Sequence, residues 1–275
     1  MIVVTGATGN VGRPLVRALV EAGEQVTTVS RGTAAPDAPE GIRHRQADVG
    51  DPVGLKPALE GADALFLLTS GELMLGGGNV DGALEAARSC GVRWVVLLSS
   101  QGVGSLRHPP QFENAVKGSG LEWTVLRPAG FASNAFQWAE SVRERREVAA
   151  PFGDVALPVI DPADIAEVAA TVLRAGGHGG ATYELTGPVP VSPRQQAAAL
   201  GDVVGEPVRF VEQSPAEARA QMVRFMPEQV VDSTLALLGT PYAEEQRVSP
   251  DVERVLGRPP RAFAEWAARN AAAFT

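Results

Sequence analysis

Three glycines spaced three residues apart lie near the start of the chain, immediately after an apolar run. Glycine allows a tight turn and a close approach of the backbone to a pyrophosphate, and a following helix offers N–H groups and the positive end of its dipole. Glycine-rich turns are common, but this loop stands at the first strand–helix junction, where it predicts dinucleotide binding. The loop residues predicted to contact the dinucleotide are Gly6, Thr8, Gly9, Asn10, Val11 and Gly12.

Arg31 ends the second predicted strand, at the place where NAD-binding proteins carry an acidic residue that hydrogen-bonds the ribose 2′-hydroxyl. A guanidinium matches the charge and the geometry of a 2′-phosphate, so this arginine favours NADPH/NADP+ over NADH as the cofactor. A solvated surface arginine is the alternative interpretation.

The elements that must position these residues alternate between short apolar runs and helix-length stretches. Strands are predicted at residues 2–5, 25–30, 41–47, 63–69, 92–98 and 122–126. Helices are predicted between them at residues 11–22, 52–59, 76–90 and 112–119. Uninterrupted apolar strands are typical of sheets covered on both faces, so the pattern predicts an α/β fold with a Rossmann-type doubly wound parallel sheet.

The strand signal weakens after Pro128. Helices are predicted at residues 131–147, 161–174, 192–204, 215–238 and 261–274, with one further strand at residues 181–185. This half of the chain therefore predicts a small, mainly helical C-terminal substrate lobe. The expected division is an NADP(H)-binding core at residues 1–150 and a smaller substrate-binding lobe at residues 151–275, interleaved with the core as one structural unit.

Composition limits the partners that this chain can have. It has 275 residues, with 24 Lys and Arg against 32 Asp and Glu, and a net charge of −8. Nucleic acid and anionic membranes require a positive surface, so neither is expected as a partner. The apolar runs are about five residues long, where a membrane-spanning helix needs about 20. We expect a cytoplasmic monomer or homodimer that acts on a small molecule.

No metal site is predicted, because the three histidines are dispersed along the chain and Cys90 is the only cysteine.

Four sequence motifs together resemble the atypical short-chain dehydrogenases/reductases. They are the loop Thr-Gly-Ala-Thr-Gly-Asn-Val-Gly, the strand-end Arg31, the triplet Ala47-Asp48-Val49, and Ser-Gly-Leu-Glu-Trp-Thr-Val-Leu-Arg-Pro at residues 119–128. The subgroup that they resemble most comprises NmrA-like proteins and type 2 quinone oxidoreductases, and the similarity extends over nearly the whole chain.

This resemblance implies further contacts at the ends of the strands. The implied cofactor contacts are Asp48 and Val49 beside the adenine, Leu68, Thr69 and Ser70 after the fourth strand, Ser99 beside the nicotinamide, and Pro128 after the sixth strand. Phe131 and Asn134, a little further along, are implied to contact the substrate. Ordinary strand-end packing is the alternative for most of these positions.

The chain departs from the superfamily because it lacks the usual Tyr-x-x-x-Lys acid–base pair. The tyrosine position falls near Ser105 and the lysine position near Pro109, and the only tyrosines, Tyr183 and Tyr242, come much later. General acid–base catalysis is worth about 10²- to 10⁴-fold in rate, so a reductase with this sequence needs another proton source.

Ser100 and His108 are the protein groups predicted to take part in catalysis. Ser100 occupies the family's serine position and is expected to polarise a carbonyl, while an exposed and uninvolved imidazole is the alternative for His108. An ordered water or a hydroxyl beside the ketone of the substrate are the other possible proton sources.

Met222, Phe225 and Met226 belong to an apolar stripe at helical spacing in the second half of the chain. The stripe predicts either a core-facing surface or a mobile lid over an apolar substrate pocket. The residues expected to form the opposite wall are Phe131, Phe136 and Trp138. Such a pocket favours a bulky, planar or quinonoid substrate.

Three functions fit these observations. The first is an NADPH-dependent reductase of a carbonyl or quinone in a bulky aromatic compound, such as a ketoreductase that tailors a polyketide in antibiotic biosynthesis. The second is a non-catalytic NADP(H) sensor of the NmrA type, which the missing Tyr/Lys pair favours. The third is a nucleotide-sugar epimerase or dehydratase, which we rank last because those enzymes depend still more on the tyrosine.

Overall fold

Seven parallel strands form one sheet in the computed structural model, which describes residues 1–35, 38–69, 73 and 77–275. Its strands are β1 (Ile2–Thr5), β2 (Val26–Ser30), β3 (Arg43–Gln46), β4 (Ala64–Leu68), β5 (Trp94–Leu98), β6 (Glu122–Pro128) and β8 (Ala181–Leu185). Their order across the sheet is β3-β2-β1-β4-β5-β6-β8, and from β1 the chain is wound first to one side, through β2 and β3, and then to the other, from β4 to β8. The predicted doubly wound parallel sheet is confirmed.

The described residues divide into two compact units, and each is made of three segments of chain. The sheet unit consists of Met1–Pro128, Pro162–Leu185 and Asp251–Arg258. The helical unit consists of Ala129–Asp161, Thr186–Pro250 and Pro259–Thr275.

The central strands are buried because helices cover both faces of the sheet. The helices of this unit are α1 (Gly12–Glu21), α2 (Pro52–Leu59), α3 (Asp81–Ser89), α4 (Gln101–Gly104), α5 (Gln111–Gly118), α7 (Pro162–Arg174) and α12 (Asp251–Leu256). Side chains alternate along a strand, so Val3, Leu65 and Leu97 share a core with α2, α3 and α5. Helices α1 and α7 pack against each other on the opposite face.

Parallel pairing places the carboxyl ends of the strands at one edge of the sheet. Thr5 pairs with Val29, and Leu68 pairs with Leu98, which in turn pairs with Leu126. The loops after β1, β2, β4, β5 and β6 therefore begin side by side, at the edge where ligands bind in this class of fold.

The helical unit contains a small sheet that the sequence did not predict. Strands β7 (Glu147–Ala150) and β9 (Arg209–Glu212) pair in parallel. Around them lie a 3₁₀ helix (Ala132–Trp138), α6 (Ala139–Arg145), α8 (Pro193–Val204), α9 (Pro215–Met222), α10 (Glu228–Gly239), α11 (Ala243–Gln246), α13 (Phe263–Arg269) and a 3₁₀ turn (Ala271–Ala273). Both strands have only four residues and neither is strongly apolar, so their sequence signal is weak.

Two long helices predicted in this unit are wrong. Residues 131–147 form a 3₁₀ helix, α6 and the start of β7, and the chain leaves α6 at Arg146 in a left-handed conformation with φ of 51°. Residues 215–238 form two helices: the first ends at Met222, and Pro227, which a continuous helix would not tolerate, directly precedes the second. Among the described residues, no helix is both long and apolar enough to cross a membrane.

Candidate functional site

The glycine loop after β1 is held in a tight turn that brings α1 against it. Gly6 has a φ of +63°, and the N–H of Gly9 donates to the carbonyl of Gly6 at 3.0 Å. A Cβ at Gly12 would lie 2.2 Å from that same carbonyl oxygen. Only glycine fits at this position, so the first turn of α1 packs directly on the loop.

The N-terminus of α1 is left open to an anion. No side chain caps the helix at Val11, and its first turn carries no acidic residue. The side chain of Arg13 folds back, and its Nε donates to the carbonyl of Thr8 at 2.9 Å. Backbone N–H groups and two glycines that exclude side chains form a cradle that fits a pyrophosphate, as the sequence predicted for this loop.

Thr5 links the glycine loop to the end of β4. Its Oγ1 donates to the carbonyl of Phe66 at 3.0 Å and accepts from the N–H of Leu68 at 2.8 Å. Leu68 is thereby packed on Gly6, where a Cβ would lie 2.9 Å from Leu68 Cδ2. Leu68 and Thr69 are thus brought to the loop, while Ser70 lies outside the described residues.

A pocket on the α1 side of β2 contains basic residues that the sequence analysis missed. Thr8 lines it together with Arg13 and Arg17, and Thr28 and His44 form its wall. Arg13 and Arg17 are one helical turn apart on α1, directly after the third glycine, and that i, i+4 spacing is a signal that could have found them.

His44 holds the turn that follows β2. Its Nδ1 lies 3.1 Å from Oγ1 of Thr28 and its Nε2 lies 3.0 Å from the carbonyl oxygen of Gly32. Arg31 itself is exposed, and its carbonyl accepts a hydrogen bond from Gln46 at 2.7 Å. The side chain of Arg31 therefore starts from a turn whose backbone is fixed on two sides.

Asp48 and Val49 lie just after β3 and take different environments. Oδ1 of Asp48 accepts the N–H of Gly50 at 2.7 Å, which closes a local turn. Val49 is buried and packs in the core shared with α2 and α3. The turn places both residues at the carboxyl edge of the sheet, and their contact with an adenine stays a prediction.

A buried ionic cluster lies beside the ends of β5 and β6. Glu113 on α5 is 1% exposed and accepts two hydrogen bonds from Arg127, from Nε and from Nη2, at 2.8 Å each. It also accepts from Lys117 Nζ at 3.0 Å and from Ser99 Oγ at 2.8 Å. From the sequence, a helix-surface carboxylate is the favoured interpretation of Glu113 over a buried group near the site. That interpretation is wrong, because Ser99 and Arg127 are brought to Glu113 from other elements.

These hydrogen bonds fix the charge of Glu113. Burial by itself raises the pKa of a carboxyl group, but the hydrogen bonds from Arg127, Lys117 and Ser99 outweigh it and lower the pKa of Glu113 to about 2. The hydrogen bonds to Glu113 in turn raise the pKa of Arg127. Glu113 and Arg127 are therefore both ionised at neutral pH, and their cluster fixes Ser99 and the end of β6, which Pro128 closes.

Ser100 and His108, the two predicted catalytic residues, are brought together. Ser100 Oγ lies 3.1 Å from His108 Nδ1, and both side chains are partly buried. Ser105 lies where the family resemblance places the tyrosine, and its hydroxyl donates to the carbonyl of Gly102 at 3.3 Å.

The two tyrosines take other places in the structure. Tyr183 lies on the edge strand β8, and its hydroxyl is 2.8 Å from Nδ1 of His178. Burial raises the pKa of this phenol. Because β6 lies between β8 and β5, Tyr183 is two strands away from the end of β5. Tyr242 belongs to the helical unit and is half exposed.

The residues predicted to bind substrate are spread over the helical unit. Phe131 forms a parallel bridge with Ile160, and Asn134 is exposed in the 3₁₀ helix that follows. Met222 and Met226 are partly buried at the turn between α9 and α10, where the N–H of Met226 donates to the carbonyl of Met222. Phe225, in the same turn, is 85% exposed.

Phe136 and Trp138, expected to form a pocket wall, both make contacts within the helical unit, and their place in a substrate pocket stays a prediction. The ring of Phe136 lies 5.0 Å from that of Trp266 and stacks on Phe274 at 5.9 Å. Trp138 packs against the same core, which includes Val148 and Leu200.

Comparisons with known proteins were made over the whole chain. A family model described as NAD(P)H-binding matches residues 6–175. The (4-alkanoyl-5-oxo-2,5-dihydrofuran-3-yl)methyl phosphate reductase of Streptomyces griseus is 36% identical, and the match covers 100% of this chain and 99% of that protein. The NAD(P)H azoreductase of Xenophilus azovorans is 34% identical with the same coverage.

Among solved structures, the chain is similar to the Escherichia coli NADPH-dependent quinone oxidoreductase QOR2 in complex with NADPH. The TM-score is 0.81 at 27% sequence identity, and the match covers 98% of this chain and 99% of that one. Fold and sequence thus agree along the full length of the chain.

Proposed function

The chain belongs to the NAD(P)H-binding family and is an NADPH-dependent oxidoreductase, and we propose that it reduces a carbonyl or quinone in a bulky, conjugated aromatic compound of the polyketide type. The observation that carries this proposal is the pair of full-length relatives. One is named for a furanone whose ring double bond is conjugated with carbonyl groups, and the other for azo compounds.

Conjugation explains how such acceptors suit a site without the usual Tyr/Lys pair. Reduction of an isolated ketone produces a localised alkoxide, which needs a strong acid nearby. Reduction of a quinone or a conjugated carbonyl produces an anion spread over several atoms, which needs less help from an acid. A chain that lacks the pair is therefore better suited to conjugated acceptors than to simple ketones.

The residues of the sheet unit divide into groups that hold the cofactor and groups that meet the substrate. Gly6, Gly9 and Gly12 with the N-terminus of α1 would hold the pyrophosphate, and Arg31 would hold the 2′-phosphate. NADPH, when bound, would supply a hydride to the acceptor, which is two electrons and one proton. Ser100 would donate a hydrogen bond to the acceptor oxygen and so polarise it.

The other cofactor contacts remain part of the proposal. They are Thr8, Asn10 and Val11 in the glycine loop, and Asp48, Val49, Leu68, Thr69, Ser70, Ser99 and Pro128 at the strand ends. The proposed substrate contacts are Phe131, Asn134, Met222, Phe225 and Met226.

The proton that completes the reduction can come from the substrate itself. A hydroxyl beside the ketone can pass its proton to the reduced oxygen within one molecule, and this substrate-assisted route needs no acid from the protein.

Oxidation of NADPH, followed by its absorbance, tests the proposed function. The acceptors are 1,4-naphthoquinone, 5-hydroxy-1,4-naphthoquinone, an azo dye and cyclohexanone as a saturated ketone. We expect turnover of the conjugated acceptors and none of cyclohexanone. Tight NADPH binding without turnover of any acceptor would instead support a non-catalytic NADP(H) sensor.

A further inference from the structure

The hydroxyl of Ser100 lies within hydrogen-bond distance of an imidazole and does not cap the helix that follows it. Serine directly before a helix usually accepts a hydrogen bond from an N–H of the first turn. Ser100 stands before α4 and makes no such bond. Its Oγ lies instead 3.1 Å from Nδ1 of His108, eight residues further along the chain.

Gly102 provides the space that the imidazole occupies. A Cβ on Gly102 would lie 2.6 Å from Nδ1 and 2.8 Å from Cε1 of His108. The backbone of Gly102 is outside the left-handed region, so its conformation does not require glycine, and glycine is a poor helix former. The imidazole ring of His108 is therefore the group that leaves no room for a side chain at Gly102.

The loop is closed by main-chain contacts that keep the ring in place. The N–H of His108 donates to the carbonyl of Gly102 at 2.9 Å. Between them Leu106 is held at a φ of 63° with its side chain 86% exposed, a conformation that leucine rarely adopts. Backbone strain is therefore present in the same loop that positions the imidazole of His108.

The second ring nitrogen of His108 is open to water. Nε2 has no hydrogen-bond partner within the part of the chain that the structure describes. In that same part, no buried side-chain nitrogen or oxygen lacks a partner. Nε2 is therefore solvated, and the pair connects the solvent to the hydroxyl of Ser100 at the carboxyl end of β5.

We propose that Ser100 and His108 form a proton relay that takes the place of the missing tyrosine and lysine. This inference rests on the proposed function and adds the source of its proton. Ser100 is the catalytic residue that meets the acceptor oxygen, and His108 is the positioning residue that directs the hydroxyl and replaces its proton.

The relay delivers one proton from His108 through Ser100 to the reduced acceptor. The O–H bond of Ser100 breaks as the O–H bond of the reduced acceptor forms, and the Nδ1–H bond of a protonated His108 breaks as the hydroxyl of Ser100 is restored. The acceptor is reduced by the two electrons that NADPH supplies, and NADPH is oxidised. Water then returns a proton to the imidazole after the product leaves.

Three variants test the relay with 1,4-naphthoquinone, which has no hydroxyl of its own. Ser100→Ala and His108→Ala should each lower kcat about 100-fold with little change in KM. Gly102→Ala keeps both side chains but pushes the ring away, and it should lower kcat comparably. Added imidazole should restore part of the activity of His108→Ala only.

Two further measurements do not depend on turnover. NADPH binding, followed by its fluorescence, should be the same in all three variants and the parent protein. The ring signals of His108 in NMR spectra should move in Ser100→Ala and Gly102→Ala. They should stay in place in Gly118→Ala, a helical glycine with nothing within 4 Å of an added Cβ.

The results separate the relay from the proposed function. A parent protein that binds NADPH but reduces no acceptor overturns both. The relay alone is overturned if His108→Ala reduces 1,4-naphthoquinone as fast as the parent protein does. It is also overturned if the NMR signals of His108 do not move in Ser100→Ala. Reduction of 5-hydroxy-1,4-naphthoquinone only overturns it as well, because the proton then comes from the substrate.

Discussion

The glycine loop after β1 and the segment after β5 that contains Ser100 and His108 lie at the same edge of the sheet. Different kinds of contact hold them in place. In the glycine loop the essential contacts are main-chain ones, from Gly9 to Gly6 and from α1 to Gly6. In the Ser100–His108 segment they are side-chain contacts to His108, next to the ionic cluster around Glu113.

This difference separates a loop that can bind a ligand through its main chain from a loop that must act through its side chains. Main-chain N–H groups and a helix dipole bind a pyrophosphate whatever side chains stand nearby, so the first loop needs only glycine at the right spacing. Side-chain chemistry depends on groups from several elements. The second loop can therefore lose a tyrosine and a lysine and still present polar groups.

Gly12→Ala is the sharpest way to break the first loop. The added Cβ would lie 2.2 Å from a backbone oxygen, which cannot move aside as a flexible side chain can. We expect a loss of about 3 kcal/mol in the free energy of unfolding and a rise of roughly 100-fold in the Kd for NADPH.

Urea unfolding and fluorescence titration measure both effects. Gly118→Ala serves as the control, since its Cβ meets nothing within 4 Å and alanine favours the helix. Equal NADPH binding by the two variants would show that the loop does not depend on close backbone packing.

Glu113→Gln removes the negative charge from the ionic cluster next to the Ser100–His108 segment. The substitution leaves Arg127 and Lys117 without their carboxylate, and breaking a buried pair in this way costs about 3 kcal/mol in unfolding free energy. Urea denaturation measures it against Glu85→Gln, which loses an exposed pair with Arg88 and should change by less than about 1 kcal/mol.

The same carboxylate predicts how stability depends on pH. The pKa of Glu113 is lowered to about 2 in the fold, whereas an unfolded glutamate titrates near pH ~4.3. The stabilisation is complete above the unfolded pKa and is lost as the pH falls through about 2.

Melting temperatures between pH 6 and pH 3 should therefore fall more steeply for the parent protein than for Glu113→Gln. Parallel curves would mean that Glu113 does not contribute to acid unfolding.

Arg31→Ala should have a smaller effect, confined to the choice of cofactor. A lost charge-assisted hydrogen bond to a 2′-phosphate corresponds to about 10- to 100-fold in the ratio of kcat/KM for NADPH and NADH. Arg88→Ala, an exposed arginine on α3, is the control. An unchanged ratio in Arg31→Ala would assign the selectivity to Arg13 and Arg17 in the neighbouring pocket.

Phe225→Ser should have the smallest effect on the fold. The side chain is 85% exposed, so the free energy of unfolding should change by less than about 0.5 kcal/mol. A raised KM for 1,4-naphthoquinone with unchanged stability would support its place among the substrate contacts, and an unchanged KM would remove it from them.

The sequence predicted the strands of the main sheet well because their signal is local. Uninterrupted apolar runs such as residues 64–68 fill a sheet that is buried on both faces, and the glycine after the first strand has a positive φ as its turn requires. Predictions failed in the helical unit, where β7 and β9 are short and Pro227 divides one predicted helix.

For Glu113, the sequence gives a local signal only for its i, i+4 partner Lys117. Glu113 is an ordinary helix residue in the sequence, and its partners Ser99 and Arg127 are each 14 residues away. Phe136 is 40% exposed and packs against Trp266, whereas Phe225 is 85% exposed, and the sequence alone does not distinguish these two environments.

The sequence by itself determined the fold class, the glycine loop, NADPH as the cofactor, and the missing tyrosine and lysine. These properties follow from residue types at fixed spacing along one strand, one turn and one helix. The tertiary structure decided that Ser100 meets His108, that Gly102 is required by a ring, and that Glu113 carries a charge while buried. Those facts depend on distances between elements, which spacing along a chain does not fix.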